Sequence, residues 1–521
     1  MSSKKIVDYI IVGGGAAGSA LAHRLGENPQ NRVLVIEAAG PDEQRHPMLS
    51  GSAQAPIAPK ARNRQAPRTL GMSHRSTDGL AGGPAEASGT IRSRGGEADY
   101  ATWEAAGATG WNWARFQGAF TAMERQAAGV TGPHVDDSRP SAEAVSPPDA
   151  TSELWIRTLA RQGIDTVEEL GGERTRVAYP PQSVPTDLRT GTVRPFPHGY
   201  PRRRNVRVRL HCTARRILFD GTTAIGVEAV TPRGAVRFTA RREVILCAGA
   251  VGNPLLLERS GVGDSEVLTT AGVHLVAANP AVGGNLRQRR GAAFTLRPHG
   301  VPEHGPDPVT PAAGLGAWLR RALRRPDVPT RETTSILAVL NSDREASSPD
   351  MELLFTPIPA GGATVAFFPR SPTSVGTVHI SGPALKDPPR LVPGHLSTDQ
   401  DRELTVAAFA RTREILAGEP FASAMTETFP GADVADPADV LRYVREDGVT
   451  EQAVGTCALG LGGVVDDELR VRGTHRLRVA DASVMPTLTT GDTEAASMAV
   501  GWIAGDVLRN ANTRSRWSGW T

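Results

Sequence analysis

Gly13, Gly15 and Gly18 are spaced as G-x-G-x-x-G within "DYIIVGGGAAGSALAHRLGE". The motif follows an apolar run ending at Val12 and opens a helical pattern, and Glu37 closes the next apolar run, "RVLVIEAAG". In that context glycines let backbone approach a pyrophosphate, the helix start supplies N–H groups and the positive end of its dipole, and the acid accepts ribose hydroxyls. The chemistry predicted is dinucleotide binding. Later in the chain, "TEQAVGTCALG" (450–460) has the setting of an active-site loop, before a strand-like "LRVADASVMP". Where a proton carrier would be sought it offers small residues, Cys457 and Gln452.

Two more junctions converge on the same nucleotide. "RREVILCAGAVGNPLLLERSGVG" (241–263) runs an apolar strand into Ala248, Gly249 and Ala250. "LRVADASVMPTLTTGDTEAASMAVGWIAGDVL" (477–508) ends a strand at Asp481, and a helix begins after Gly491. Three such walls suit FAD better than the shorter NAD.

The elements that must position these residues read as follows. Strands and helices alternate at the N-terminus, which predicts a Rossmann-like α/β unit. Short strands are expected at "NVRVRL", "RRILFD", "AIGVEAV", "AVRFTA" and "REVILCAGA", then a helix at "GNPLLLERSGV". "SILAVL", "MELLFTPI" and "GTVHIS" read as strands of a separate sheet, and "DQDRELTVAAFARTREILAG" as an amphipathic helix. Residues 41–98, rich in Pro, Gly, Ser and Arg, read as a long excursion over a surface or ligand, and 127–150 as a flexible loop or lid.

A length of 521 residues allows more than one domain. The 58 basic and 55 acidic residues nearly balance, so nucleic acid and acidic membrane surfaces are not suggested as partners. Basic clusters such as "PRRRNVRVR" read as solvated faces. Cys212, Cys247 and Cys457 are widely spaced with no C-x-x-C pair, which supports neither a metal site nor a disulfide framework and fits a reducing, cytoplasmic setting. No run approaches the ~20 apolar residues of a membrane span, and the N-terminus does not read as a signal peptide. No motif speaks to oligomeric state.

The ordered blocks "DYIIVGGGAAGSALAHRL", "VIEAAGP", "GGEADYATWEAAGATGWNW", "REVILCAGAVGNPLLLERSGVG", "VGGNL", "VGTCALG" and "VADASVMPTLTTGDT" resemble the glucose–methanol–choline (GMC) oxidoreductases, from about Asp8 to about Leu508. The resemblance implies a Rossmann-like FAD domain and a discontinuous substrate domain whose antiparallel sheet covers one flavin face. It implies bounds of 1–155, 200–292 and 455–521 for the first and 156–199 and 293–454 for the second. It also implies oxidation of a CH–OH group of a small-molecule substrate by hydride transfer. FAD would then be held by Gly13, Gly15, Ala16, Ala17, Gly18, Glu37, Ala38, Gly82, Gly83, Ser88, Gly89, Ala214, Ala248, Gly249, Asp481, Ala482, Thr493 and Ala495.

The chain departs from the family pattern at the positions that move protons. The family's His–Pro before Val–Gly–Thr–Cys is Gln452–Ala453, and its second catalytic position, a His or Asn near the last helix start, is Glu494. The Asn of the flavin loop becomes Ser88 in "GGPAEASG", and the Asp–His after "NL" becomes Gln288–Arg289. Imidazole, with a pKa of about 6.5, suits proton removal from an alcohol. Gln452 cannot ionise and is expected to orient substrate. Glu494 reads equally as a base and as an acid favouring a helix start. Glu86 in the flavin loop is a further base candidate, and His74 reads as exposed. Phe367, Phe368 and Arg370 fall in the segment lining the substrate side in this family.

Three functions stay in view. An oxidoreductase on a hydroxylated compound, as a biosynthetic tailoring enzyme, stands narrowly first. An enzyme that keeps FAD without net redox, acting as a cyclase or lyase or by elimination, stands second. A non-catalytic binder stands third, disfavoured by retention of Glu37, Asp481 and the glycine turns.

Overall fold

A computed structural model describes residues 5–38, 94–127, 149–166, 177–179, 186–187, 192–193, 203–299, 336–343, 348–358 and 361–517. Two sheets organise them. The first holds β1 (Lys5–Val12), β2 (Val33–Ile36), β3 (Val206–Arg209), β4 (Thr213–Asp220), β5 (Thr223–Thr231), β6 (Gly234–Leu246) and a short late strand, Leu477–Val479. Its order is β3–β2–β1–β6–β5–β4, with Leu477–Val479 on β6. "YIIV" and "VLVI" are apolar on both faces and both are buried, as central parallel strands require.

Parallel pairing puts Val12 level with Ile36 and Leu246, and Leu246 level with Val479. The chain therefore leaves three neighbouring strands at one edge, at Gly13, Cys247 and Ala480. A ligand crevice forms at such an edge. The expected "AVRFTA" and "REVIL" strands are one 13-residue strand, β6, whose first half pairs antiparallel with β5 and whose second half pairs parallel with β1. No turn residue interrupts the run, and the partner changes along it without a break in the strand.

Helix α1 (Ala16–Gly26) packs along the last long helix, Thr493–Trp517. Their backbones meet closely, since a Cβ on Gly501 would lie 2.1 Å from the Ala17 carbonyl oxygen. Helices α2 (Glu97–Ala105) and α3 (Trp113–Ala127) and the segment between them add Tyr100, Trp103, Trp111 and Phe116 to this core.

The second sheet contains β7 (Arg287–Pro298), β8 (Ile336–Leu340), β9 (Met351–Ile358), β10 (Gly362–Pro369), β11 (Met425–Phe429) and β12 (Val449–Val454). Its path is β11–β7–β10–β9–β8, continued by two short strands at 177–179 and 165–166, with β12 also on β7. "GTVHIS" is not part of it: Thr377–His379 pairs only with Arg390–Val392. A two-strand partner was not visible in the sequence because "RLV" is too short to carry a period.

Alternation splits this sheet into unlike faces. Ala292, Phe294, Leu353, Phe355, Val365 and Phe367 join Trp155 of α4 (Ala150–Arg161) and the helices α5 (Asp399–Leu416) and α6 (Pro437–Asp447) in a second core. Trp155 stacks on Phe355 with ring centroids 5.1 Å apart. The other face carries Arg289, Gly291, Ala293, Glu352, Ala366, Phe368 and Val449, of which Ala293, Ala366, Phe368 and Val449 pack together. Gly291 is required here, because a Cβ would stand 1.7 Å from the Phe367 carbonyl oxygen on β10.

Gly291→Ala is expected to wedge β7 from β10 and to cost about 1–3 kcal/mol by overpacking. A lower urea midpoint at unchanged slope checks this; an unchanged midpoint would mean the strands are not held at this spacing.

Candidate functional site

The glycine turn is built by contact limits. Gly13 has φ +104°, and a Cβ there would lie 2.1 Å from the Cys247 carbonyl oxygen. A Cβ on Gly18 would lie 2.1 Å from the Gly13 oxygen. Gly15 caps α1 with no side-chain hydrogen bond, and nothing lies within 4 Å of its virtual Cβ. The first N–H groups of α1, at Ala16 and Ala17, thus face a space shaped for a phosphate. Glu37 sits at the lip, where its Oε2 accepts from the Gly14 N–H at 2.6 Å. Ala38 follows it, exposed, and Ala214 begins β4 nearby, since the Cys212 N–H donates to the Glu37 carbonyl.

Asp481 is buried and acts as a clasp. It accepts from the Gly249 N–H at 2.7 Å, from Asn253 Nδ2 at 2.8 Å, and from the Ser483 N–H and hydroxyl. Burial pushes its carboxyl pKa up, and these hydrogen bonds hold it down in part. Through Asp481, Ala248 and Gly249 are drawn up to Ala482. Gly249 has φ +79° and open space at its virtual Cβ. The wall that Asp481 was expected to supply is therefore made of the backbone it fixes.

Gly82, Gly83, Glu86, Ser88, Gly89 and His74 lie outside the described residues. So do most of the 41–98 excursion and of the 127–150 loop.

The loop 489–492 leads into the last helix, labelled α7 here (Thr493–Trp517). It is held from α2 and from the second sheet. Asp99 of α2 accepts from the Thr490 N–H at 2.9 Å and its hydroxyl at 2.7 Å. Arg289, fully buried, donates through Nη2 to the Thr489 oxygen at 2.7 Å and through Nη1 to Glu352 at 2.5 Å. Arg370 donates to the Thr490 oxygen at 2.9 Å and lies 3.5 Å from Glu352. Asp492 then caps α7 by accepting the Glu494 N–H at 2.9 Å. Glu494 and Thr493 occupy the first turn of α7, and Ala495 is buried behind them. An acid in that turn is favoured by the helix dipole.

Gln452 lies on β12, in an unusual conformation. Its φ is +51°, a region few non-glycine residues adopt. The pairing explains why. Gln288 is opposite Ala453 and Arg289 is opposite Glu451, so Gln452 is an extra residue, a bulge. Its Oε1 is buried and without a partner among the described residues.

Sequence reasoning missed Glu451. Pairing opposite Arg289 puts it on the face turned toward 489–492. It keeps some accessible surface, yet protein crowds its carboxyl. Burial first, then Glu352 and Asp492, push its pKa from 4.5 to about 8, against the pull of Arg289. The signal was present as an acid beside Gln452, but only the bulge reveals which way it faces. Phe367 points instead into the second core, while Phe368 and Arg370 belong to the site face. The only histidine bonded to this part of β7 among the described residues is His395, 3.2 Å from Gln288 on the opposite face, held neutral with a pKa of about 4 by burial and Arg290. Cys457 is fully buried, and burial raises its pKa far from thiolate chemistry. A cavity of about 370 Å³ beside Gly455, Ala458, Asn285 and Pro486 includes none of Glu451, Gln452 or Glu494.

Residues 7–290 match one family model described as GMC oxidoreductase, and residues 372–501 match a second with the same description. An oxygen-dependent choline dehydrogenase of Stenotrophomonas maltophilia is 28% identical over 99% of this chain and 97% of its own length. The crystal structure of a pyridoxine 4-oxidase, from "Mesorbium loti", superposes with a TM-score of 0.72 at 27% identity, covering 96% of this chain and 98% of the other. A formate oxidase structure shares the fold, with a TM-score of 0.77 at 20% identity over 99% and 100% of the two chains.

Arg289→Met is expected to strand the Glu352 charge in the sheet and to cost about 3–5 kcal/mol, whereas Arg289→Met with Glu352→Met should recover most of that loss. Urea unfolding of the single and double variants checks it; equal losses in both would mean that the pair is not what holds the loop.

Proposed function

The chain belongs to the GMC oxidoreductases, which are FAD-dependent enzymes, and on that premise we propose that it oxidises the CH–OH group of an uncharged small or medium organic compound, as a tailoring step in biosynthesis. The observation that carries the reading is the buried Oε1 of Gln452, which has no hydrogen-bond partner among the described residues. An amide held there in a strained bulge is a hydrogen-bonding group awaiting a partner, and a substrate hydroxyl meets that need. The preference for an uncharged compound rests on the described floor of the site. Gly291, Ala293, Ala366, Phe368 and Val449 are apolar, while Arg289, Arg370 and Glu352 are consumed by one another and by backbone carbonyls. Choline and pyridoxine, for which two relatives are named, both carry CH–OH groups.

FAD, when bound, accepts two electrons and a proton's worth of hydrogen as hydride. In this reading Gly13, Gly15, Ala16, Ala17 and Gly18 hold its pyrophosphate. Glu37, Ala38 and Ala214 flank the adenosine. Ala248, Gly249, Asp481, Ala482, Thr493 and Ala495 line the remainder, and Gly82, Gly83, Ser88 and Gly89 are further candidates for binding it. Gln452 orients the hydroxyl. Glu494 steadies the start of α7, and Glu86 stays a candidate proton acceptor from the flavin loop.

The test is anaerobic mixing of FAD-loaded protein with a panel of primary and secondary alcohols while the flavin's visible band is followed. Bleaching by an uncharged alcohol is expected. Retained FAD with no bleaching across the panel would favour the reading without net redox. Gln452→Ala should lower kcat/KM about tenfold, since losing one buried hydrogen bond costs roughly 1–3 kcal/mol. Gln452→His combined with Glu494→Asn should raise alcohol oxidation. If that double variant folds and binds FAD but gains nothing, these two positions alone do not limit the chemistry.

A further inference from the structure

We infer that Glu451 is the group that receives the substrate hydroxyl's proton, an inference that rests on the oxidation reading above. The bulge is what aims it. Arg289 and Gln288 are neighbours on β7 and so point to opposite faces. Their partners, Glu451 and Ala453, are two residues apart and would share a face in a regular strand. The extra residue, Gln452 at φ +51°, takes up the reversal. Glu451 is thereby set on the face toward the loop 489–492, next in the chain to Gln452, whose Oε1 has no partner among the described residues.

The other acids near it have work already. Glu352 is bound by Arg289 and faces Arg370, Asp99 holds Thr490, and Asp492 caps α7 with Glu494 in the turn behind it. No described residue donates a hydrogen bond to the Glu451 carboxyl. Arg289 on β7, Glu352 on β9 and Asp492 before α7 are the charges that face it, Arg370 pairs with Glu352 instead, and His395 lies across the strand, neutral. Burial with two acids against one arginine places its ionisation at about 8, close to working pH, where a general base is most effective.

In the step, ionised Glu451 takes the O–H proton while Gln452 fixes the oxygen. The carbon's hydrogen leaves with its electron pair for FAD, and the C–O single bond becomes a carbonyl. Glu451 later returns its proton to water.

The folded chain holds the Glu451 proton more tightly than the unfolded chain. The contribution of this group to stability is therefore greatest below pH 4.5, falls as pH rises toward about 8, and is level above that. Glu451→Gln, which keeps the shape and cannot ionise, should flatten that fall in thermal midpoint across the same window. In the same variant, with FAD bound, the rate of flavin bleaching by the alcohol should drop about 10²–10⁴-fold and lose its rise near pH 8. Glu451→Asp should keep FAD and restore part of the rate with a shifted profile. If Glu451→Gln bleaches as fast as the parent with the same pH profile, the inference falls and the oxidation reading stands. Should Glu451→Gln fail to bind FAD, a Glu451→Asp variant with the parent's unshifted profile overturns it equally. If the parent itself bleaches with no alcohol, the oxidation reading fails first and the inference with it.

Discussion

A guanidinium with no exposure to water needs partners, and Arg289 finds them for its two Nη groups by reaching across the molecule, its Nε having none among the described residues. One arm takes Glu352 within its own sheet, and the other takes the carbonyls of Thr489 and Gly491, which lead into α7. Desolvation makes this tie costly to form and costlier to break. The tie sets the height of the second sheet over the start of α7. Asp99 fixes the same loop from α2, so the loop is held by α2 and by the second sheet together.

The bulge on β12 depends on that clamp. A residue at φ +51° beside a buried acid is strained, and such strain persists only where surrounding structure over-determines it. Here the register with β7 does so. A histidine in place of Gln452 would bring its own base. With an amide instead, the site must find a base elsewhere or do without, and the reversal of facing created by the bulge brings a carboxyl to the place where one is needed.

Charge arrangement carries a further consequence. Asp99, Glu352, Glu451, Asp492 and Glu494 outnumber Arg289 and Arg370 around 489–494, and a protonated acid lessens that excess. Glu451, pushed up to about 8, is the acid that yields. That lowers the local negative charge near neutral pH.

Much of this was legible in the sequence. The glycine turn, the apolar strands "YIIV" and "VLVI", and Asp481 at a strand end announce a nucleotide site, because close backbone approach admits only glycine and a doubly covered strand admits only apolar side chains. The membership in a family of FAD enzymes was likewise legible, since its motifs are local. Facing was not. Sequence alternation cannot announce a bulge, so Glu451 read as the neighbour of a missing histidine and nothing more. Nor could it announce that Arg289, in place of a usual histidine, would pair with Glu352, 63 residues away. The residue types and the cofactor scaffold were determined by the chain alone; which carboxyl is buried, which is bound and which is left to act was decided by the packing of one sheet against the other, because ionisation responds to what surrounds a group and not to what precedes it.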